Sequence, residues 1–208
     1  MSDGPKRIVE AGYDAMADRF AAWQAEIPDS PHHAWVDDLI GRLKARPEVL
    51  ELGCGAAIEP TQLLAEKGRL VGVDISREQL RRARARCPQA TFHHADMTEV
   101  EFPEETFDAV VCAYAFNHVP RGDLARLVPR IAGWLRPDGY LLASFGVSGG
   151  EGIEEDWLGV PMFFASFTAD ENRRLVIEAG LEIARDEVVP ITEPEGEARF
   201  QWILARKS

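Results

Sequence analysis

The chain has 208 residues, 46% hydrophobic and 28% charged, which suits one globular domain with a sizeable core. Its formal net charge of −12 repels phosphate backbones and argues against nucleic acid or anionic membrane as partners. Three widely spaced cysteines, Cys54, Cys87 and Cys112, argue against a disulfide framework, and without an apolar leader or a long apolar run the expected location is a reducing cytoplasm.

In chain order, residues 5 to 25 carry Ile8, Val9, Tyr13, Met16, Phe20 and Trp23 at helical spacing, predicting one amphipathic helix that ends near Ile27-Pro28. Ser30-Pro31 offers an N-cap with proline at the first helical position of a second helix running to about Lys44. From Glu48 short apolar runs alternate with helical stretches. EVLELG, LVGVD, TFHH, FDAVVCAYA and YLLASFG read as strands, and PTQLLAEKG, REQLRRARAR and LARLVPRIAGWL as helices. That alternation predicts a parallel sheet with helices on both faces.

Between Gly146 and Ala165 the chain is glycine-rich, then acidic, then aromatic. It reads either as a substrate lid, with Trp157, Met162, Phe163, Phe164 and Phe167 as candidate closing residues, or as a flexible loop whose aromatic end tucks into the core. TADENRRLVIEAG reads as a helix closed by Gly180. LEIARDEVVPI and ARFQWILARK follow with no helix between them, so they are expected to pair antiparallel.

The stretch VLELGCGAAIEP ends a strand in Gly53-Cys54-Gly55, a turn that lets the backbone approach a ligand at the carboxyl end of a parallel sheet. Asp74 lies 21 residues beyond Gly53 at the end of the next strand, where an acid hydrogen-bonds ribose hydroxyls. Ser76 supplies the following N-cap, which frees Asp74 from that task. A dinucleotide needs a third glycine and an uncluttered helix N-terminus for its pyrophosphate. Here position 58 is Ile58, and Glu51 and Glu59 flank the turn, which suits a ligand carrying positive charge such as S-adenosylmethionine.

VLELGCG, LVGVDIS, HADMTEVEFPEETFDAVVCAYAFNHV and LRPDGYLLASF, in that order, resemble the motifs of class I S-adenosylmethionine-dependent methyltransferases of the small-molecule type. The resemblance covers roughly Tyr13 to Gly146 by motif and the tail by strand pattern. It implies a Rossmann-like, doubly wound seven-stranded α/β sheet, mostly parallel with an antiparallel C-terminal strand. It also implies a single domain over 1–208, made of a helical cap (1–46), a cofactor-binding core (47–146), a lid or loop (147–167) and a C-terminal helix with an antiparallel strand pair (168–208).

For S-adenosylmethionine the resemblance implies that Glu51 binds the methionine ammonium through water while Gly53, Cys54 and Gly55 wrap the methionine and ribose. Asp74 takes the ribose hydroxyls and Ile75 packs on adenine. Asp96 accepts from the adenine amine, and the Met97 backbone N–H donates to the ring. Cys112 or Ala113 lies beside the methionine part, and Tyr13 closes over the cofactor. Ala57, where a third glycine is usual, and Asp138, where Gly-Gly is usual, depart from the family pattern.

Methyl transfer is mainly a positioning task and needs a base only when the nucleophile arrives protonated. His118 is the candidate base; the alternative is a loop histidine bonded to a backbone carbonyl. Tyr114 and Asn117 are candidates for orienting the substrate. His32-His33 and His93-His94 are adjacent pairs that point apart, so no metal site is expected. Cys54 reads as a packing residue, and the arginines of 77 to 86 as a solvated helix face.

The aromatic lid candidates suit an apolar or aromatic acceptor, and the net charge of −7 over the last 58 residues, most of the total, suits a neutral or cationic one if some of those acids line the pocket mouth. The competing readings are an RNA or protein methyltransferase, a nicotinamide dehydrogenase, and a non-catalytic S-adenosylmethionine-binding protein. The first is disfavoured by the acidity and by Cys112-Ala113-Tyr114-Ala115, where a base-directed enzyme has an Asn/Asp-Pro-Pro-aromatic element. The sequence leaves monomer and homodimer both open.

Overall fold

The computed structural model describes residues 3–27 and 30–208. Three helices, α1 (Asp3–Ala15), α2 (Ala17–Ala25) and α3 (His32–Arg42), precede the sheet. The helix expected over residues 5 to 25 is broken at Met16, which leaves helical geometry (φ −101°, ψ 9°) and is wholly buried. The break lets Val9 and Met16 pack on Met162, Phe163 and Ala165. Pro28 lies outside the described residues. The second helix starts one residue later than expected: Pro31 takes the cap position, and the Ser30 Oγ accepts from the His32 N–H at 3.4 Å.

The core then alternates as β1 (Glu48–Leu52), α4 (Glu59–Lys67), β2 (Arg69–Asp74), α5 (Arg77–Arg86), β3 (Thr91–His94) and β4 (Phe107–Cys112). A 3₁₀ turn (Phe116–His118), α6 (Arg121–Trp134) and β5 (Leu135–Gly146) follow. Ser76 caps α5, its Oγ accepting from the Gln79 N–H at 3.1 Å. The segment after β5 is an antiparallel hairpin, β6 (Gly150–Trp157) and β7 (Val160–Ser166), rather than an irregular loop. The chain closes with α7 (Ala169–Glu178), β8 (Leu181–Glu193) and β9 (Gly196–Lys207). Thr168 and Glu171 form a reciprocal capping box on α7, and Gly180 (φ 85°) ends it.

Seven strands form one sheet in the order β3-β2-β1-β4-β5-β9-β8. β1 to β5 are parallel, and β9 lies antiparallel between β5 and β8. The expected antiparallel tail is thus present, with the final strand inserted inside the edge.

Side chains alternate across each strand. Leu50, Leu52, Val110 and Cys112 pack with Leu124, Leu127 and Ile131 of α6 and Val176 of α7. Val49, Ala109 and Val111 pack with Trp35 and Leu39 of α3, Leu64 of α4 and Leu80 of α5. Each of these larger side chains contributes roughly 1.5–3 kcal/mol by burial. The same alternation puts Glu51 on the Val49 side, facing α4 and not α6.

A cofactor cleft joined to an aromatic chamber

β1 and β4 are neighbours, yet their chain connections leave toward opposite faces, so the carboxyl ends of β1, β2, β3 and β4 open around a cleft. The cleft has a cavity volume of about 130 Å³. The Gly53-Cys54-Gly55 turn is pinned to β2, with the Gly53 and Cys54 N–H groups both donating to the Val73 carbonyl at 2.8 and 3.2 Å. Gly53 (φ 69°) needs its missing side chain, because a Cβ there lies 2.3 Å from the Ala115 Cβ. Gly55 (φ 53°) faces open space. Ala57 holds a left-handed conformation (φ 51°), a strain of about 1–2 kcal/mol.

Glu51 is 3% exposed. Its Oε1 accepts from the Thr61 hydroxyl of α4 at 3.0 Å, and its Oε2 has no hydrogen-bond partner among the described residues. Burial pushes its pKa up to about 8; the Thr61 bond opposes the rise and the neighbouring Asp74 charge adds to it. An orphaned, buried carboxylate oxygen in a cleft fits an ammonium group.

Asp74 is occupied in a way the sequence did not reveal. Its Oδ2 accepts from the Gly55 N–H and its Oδ1 from the Ser76 N–H, each at 2.8 Å. It ties the glycine turn to the start of α5 and lines the cleft. Burial raises its pKa to about 6, against the two backbone bonds. Ile75, Asp96, Met97, Cys54 and Ala113 also line the cleft. Cys112 does not: its side chain points into the α6 core, leaving Ala113 as the wall residue of that pair. Glu59 also lies outside, its side chain 83% exposed on the surface. Burial raises the Cys54 thiol well above its usual pKa, which suits packing and not nucleophilic chemistry.

Helix α1 straps the cleft. Lys6 Nζ lies 2.7 Å from Asp96 Oδ2 and donates to Thr98 Oγ1 at 2.8 Å. Asp14 Oδ1 accepts from the Ser76 hydroxyl at 2.6 Å and the Glu78 N–H at 3.0 Å, at the N-terminus of α5. Lys6, Val9 and Tyr13 line the cleft between these anchors. The signal for Lys6 and Asp14 was their place on the helix that carries Tyr13: Lys6 is two turns before it on the same face.

Tyr13 donates its hydroxyl proton to His118 Nε2 at 2.8 Å. A carbonyl can only accept, so the 2.8 Å contact of His118 Nδ1 with the Phe163 carbonyl makes Nδ1 the protonated nitrogen. Burial lowers the His118 pKa to about 4, and the Phe163 bond opposes that. Tyr13 is pushed up by burial and by Asp74, so its phenol stays protonated. His118 is therefore both a carbonyl-bonded histidine and a wall of the cleft.

Beyond the cleft lies a wider chamber. It shares Tyr13, Phe20, Gln24, His32, Tyr114 and His118 with the cleft wall. Of the lid candidates, Trp157 and Phe164 face this chamber. Met162 and Phe163 pack beneath α1, and Phe167 packs against the Arg121 guanidinium at 4.4 Å. Tyr114 (φ 55°) stands against Phe200 and Trp202, with its hydroxyl 3.1 Å from the Ser30 Oγ. Asn117 lines the chamber, its Nδ2 3.3 Å from His118 Nε2. Glu151, Glu154, Glu193, Glu195 and Glu197 also line the chamber, and Glu195 accepts from the Trp23 indole N–H at 2.8 Å. Among the described residues no helix is long and apolar enough to cross a membrane.

Residues 49–139 match the family described as a methyltransferase domain. The 27-O-demethylrifamycin SV methyltransferase of Amycolatopsis mediterranei is 30% identical over 205 residues, covering 82% of this chain and 72% of that protein. Demethylmenaquinone methyltransferase of Lysinibacillus sphaericus is 23% identical over 138 residues; the match spans 62% of this chain and 58% of that enzyme. Among solved structures, magnesium protoporphyrin IX methyltransferase from Synechocystis with bound S-adenosylhomocysteine superposes with a TM-score of 0.71 at 18% identity, covering 98% of this chain and 100% of that one. The Burkholderia thailandensis 1,6-didemethyltoxoflavin-N1-methyltransferase, with 1,6-didemethyltoxoflavin and S-adenosylhomocysteine bound, gives 0.68 at 20% identity over 96% of this chain and 89% of that one. By fold, by motif order and by these relatives, the chain belongs to the family of S-adenosylmethionine-dependent methyltransferases.

Proposed function

We infer that the protein methylates a small, planar aromatic acceptor, neutral or cationic, at a hydroxyl, enol or amine group. The observation that carries this reading is the shared wall. A cleft with an orphaned carboxylate, suited to a cationic cofactor, shares Tyr13, His32, Tyr114 and His118 with a chamber lined by aromatic rings and glutamates. Aromatic walls suit flat apolar ligands, and the acidic rim favours positive charge and repels RNA.

Glu51 is the residue suited to the methionine ammonium, Asp74 to the ribose, and Asp96 with Met97 and Ile75 to the adenine. Bound S-adenosylmethionine supplies a methyl group activated by a sulfonium. The chain's own task is to align the acceptor, exclude water and take one proton. Trp157, Phe164 and the α1 strap provide the dry wall.

The proton route supported by the geometry runs from the acceptor hydroxyl to the Tyr13 oxygen as Tyr13 passes its own proton to His118 Nε2. Burial keeps His118 neutral at pH 7, so Nε2 is free to receive it. A weakly basic imidazole suffices, because a hydroxyl becomes strongly acidic as it gains a methyl. The positive charge lost from sulfur then rests on the imidazole, and the net charge of the site is conserved.

The test is S-adenosylhomocysteine formation from S-adenosylmethionine with a panel of planar phenols, enols and aryl amines, beside transfer RNA and histone. Turnover confined to small aromatic members supports the reading. Methylation of RNA or protein, or no calorimetric binding of S-adenosylhomocysteine, overturns it.

A further inference from the structure

His32 opens α3 at the junction of cleft and chamber and lines both. Its neighbour His33 turns outward toward Asp37, while His32 is 6% exposed. The His32 ring sits 5.6 Å from Trp202 and 6.0 Å, edge to face, from Tyr114. Its Nε2 is buried without a hydrogen-bond partner among the described residues. Leaving such a nitrogen unpaired costs about 1–3 kcal/mol. In a close-packed interior that cost calls for an explanation, and a wall shared by two cavities supplies one in a ligand. Burial lowers its pKa to about 4, so the ring is neutral and can donate from one nitrogen and accept at the other.

Gln24 also lines both spaces, and the remaining polar groups of the shared wall have protein partners. Tyr13 and His118 bond each other, and Tyr114 pairs with Ser30. The rings packed on His32 lead toward the chamber, since Tyr114 continues to Phe200. We propose that His32 is an acceptor-binding residue, its imidazole hydrogen-bonding the nucleophilic hydroxyl or amine of the acceptor where the walls of cleft and chamber meet. This rests on the function inferred above and assigns the acceptor's polar anchor, which no sequence motif marks.

The experiment uses the full chain saturated with S-adenosylhomocysteine, titrated with phenol and separately with anisole, and followed by the histidine imidazole resonances. His32 is assigned by comparison with His32→Gln and His32→Phe. The expected result is a saturable phenol-induced shift of the His32 resonance and a preference for phenol over anisole of about tenfold in the wild type. His32→Phe abolishes that preference and His32→Gln retains part of it, with S-adenosylhomocysteine affinity unchanged in both. A purely packing role alters phenol and anisole binding equally and overturns the proposal. So does absence of phenol binding at millimolar concentration. Loss of S-adenosylhomocysteine affinity in His32→Phe assigns the ring to the cofactor's carboxylate and also overturns it. Failure of the wild type to bind S-adenosylhomocysteine at all instead marks failure of the underlying function.

Discussion

Replacing Glu51 by glutamine tests the electrostatics of the cleft. In the empty protein burial raises the Glu51 pKa from 4.5 to about 8. A raised carboxyl binds its proton more tightly folded than unfolded, so its stability contribution is full below pH 4.5 and is lost as pH rises toward 8. At 1.36 kcal/mol per unit the loss approaches roughly 5 kcal/mol, an upper bound because water entering the open cleft solvates the ionised form. Glu51→Gln keeps an acceptor for Thr61 and removes the charge. It should therefore be more stable than wild type at pH 8 and similar to it at pH 5.

Cofactor binding should invert that preference. An ammonium beside Oε2 favours the carboxylate, so binding of S-adenosylhomocysteine at pH 7 should release about 0.9 proton from a group with a pKa near 8. Calorimetry in two buffers of different ionisation enthalpy reads that number directly. The variant should release none from this site and bind about 1.5–3 kcal/mol more weakly, roughly ten- to hundredfold. Binding without proton release in the wild type, together with undiminished affinity in the variant, would refute the assignment of Glu51 to the ammonium.

Gly53→Ala and Gly55→Ala separate fold from ligand, since both glycines are left-handed but only Gly53 has a neighbour at 2.3 Å. Gly53→Ala should lose about 2–4 kcal/mol in urea denaturation. Gly55→Ala should lose only about 1 kcal/mol yet weaken S-adenosylhomocysteine binding, because its methyl enters the cleft. Tyr13→Phe removes the donor to His118 Nε2, so the turnover number for a phenolic acceptor should fall while S-adenosylhomocysteine affinity holds. An unchanged turnover number removes Tyr13 from the proton route. Asp14→Ala takes two hydrogen bonds from the start of α5 and should cost about 1–2 kcal/mol. Hydrogen exchange should quicken in α1 before it does in the sheet; uniform quickening means that α1 is not held by this contact.

The alternation of short apolar runs with helical stretches, together with the uncovered strand pair at the end, was enough to derive the sheet and its antiparallel tail. Both are local patterns with a fixed period. The turn at Gly53 and Gly55 and the acid Asp74 at the end of β2 were legible as local features of strand ends, whereas the parts expected of Glu51 and Asp96 came from the resemblance of the motifs. Which face a residue takes was harder. Cys112 and Ala113 differ by one position, and only the register against β1 and β5 sends one into the core and the other into the cleft. The break at Met16 comes from the docking of α1 and α2 on a hairpin far along the chain, which helical periodicity cannot register.

The sequence by itself determined the family, the alternating order of the core elements from β1 to β5 and the cofactor class, because those are encoded in contiguous motifs. Tertiary structure decided which residues gather at the proposed acceptor end, adding His32 to the sequence candidates Tyr114, Asn117, Trp157 and Phe164. His32, Tyr114, Trp157 and the glutamates at the chamber come from four separate segments and line one space only because α3, the β6–β7 hairpin and the β8–β9 turn converge on it. Hydrogen-bond satisfaction is likewise a property of three-dimensional neighbours, so a histidine left without a partner can be recognised only after everything around it has been placed.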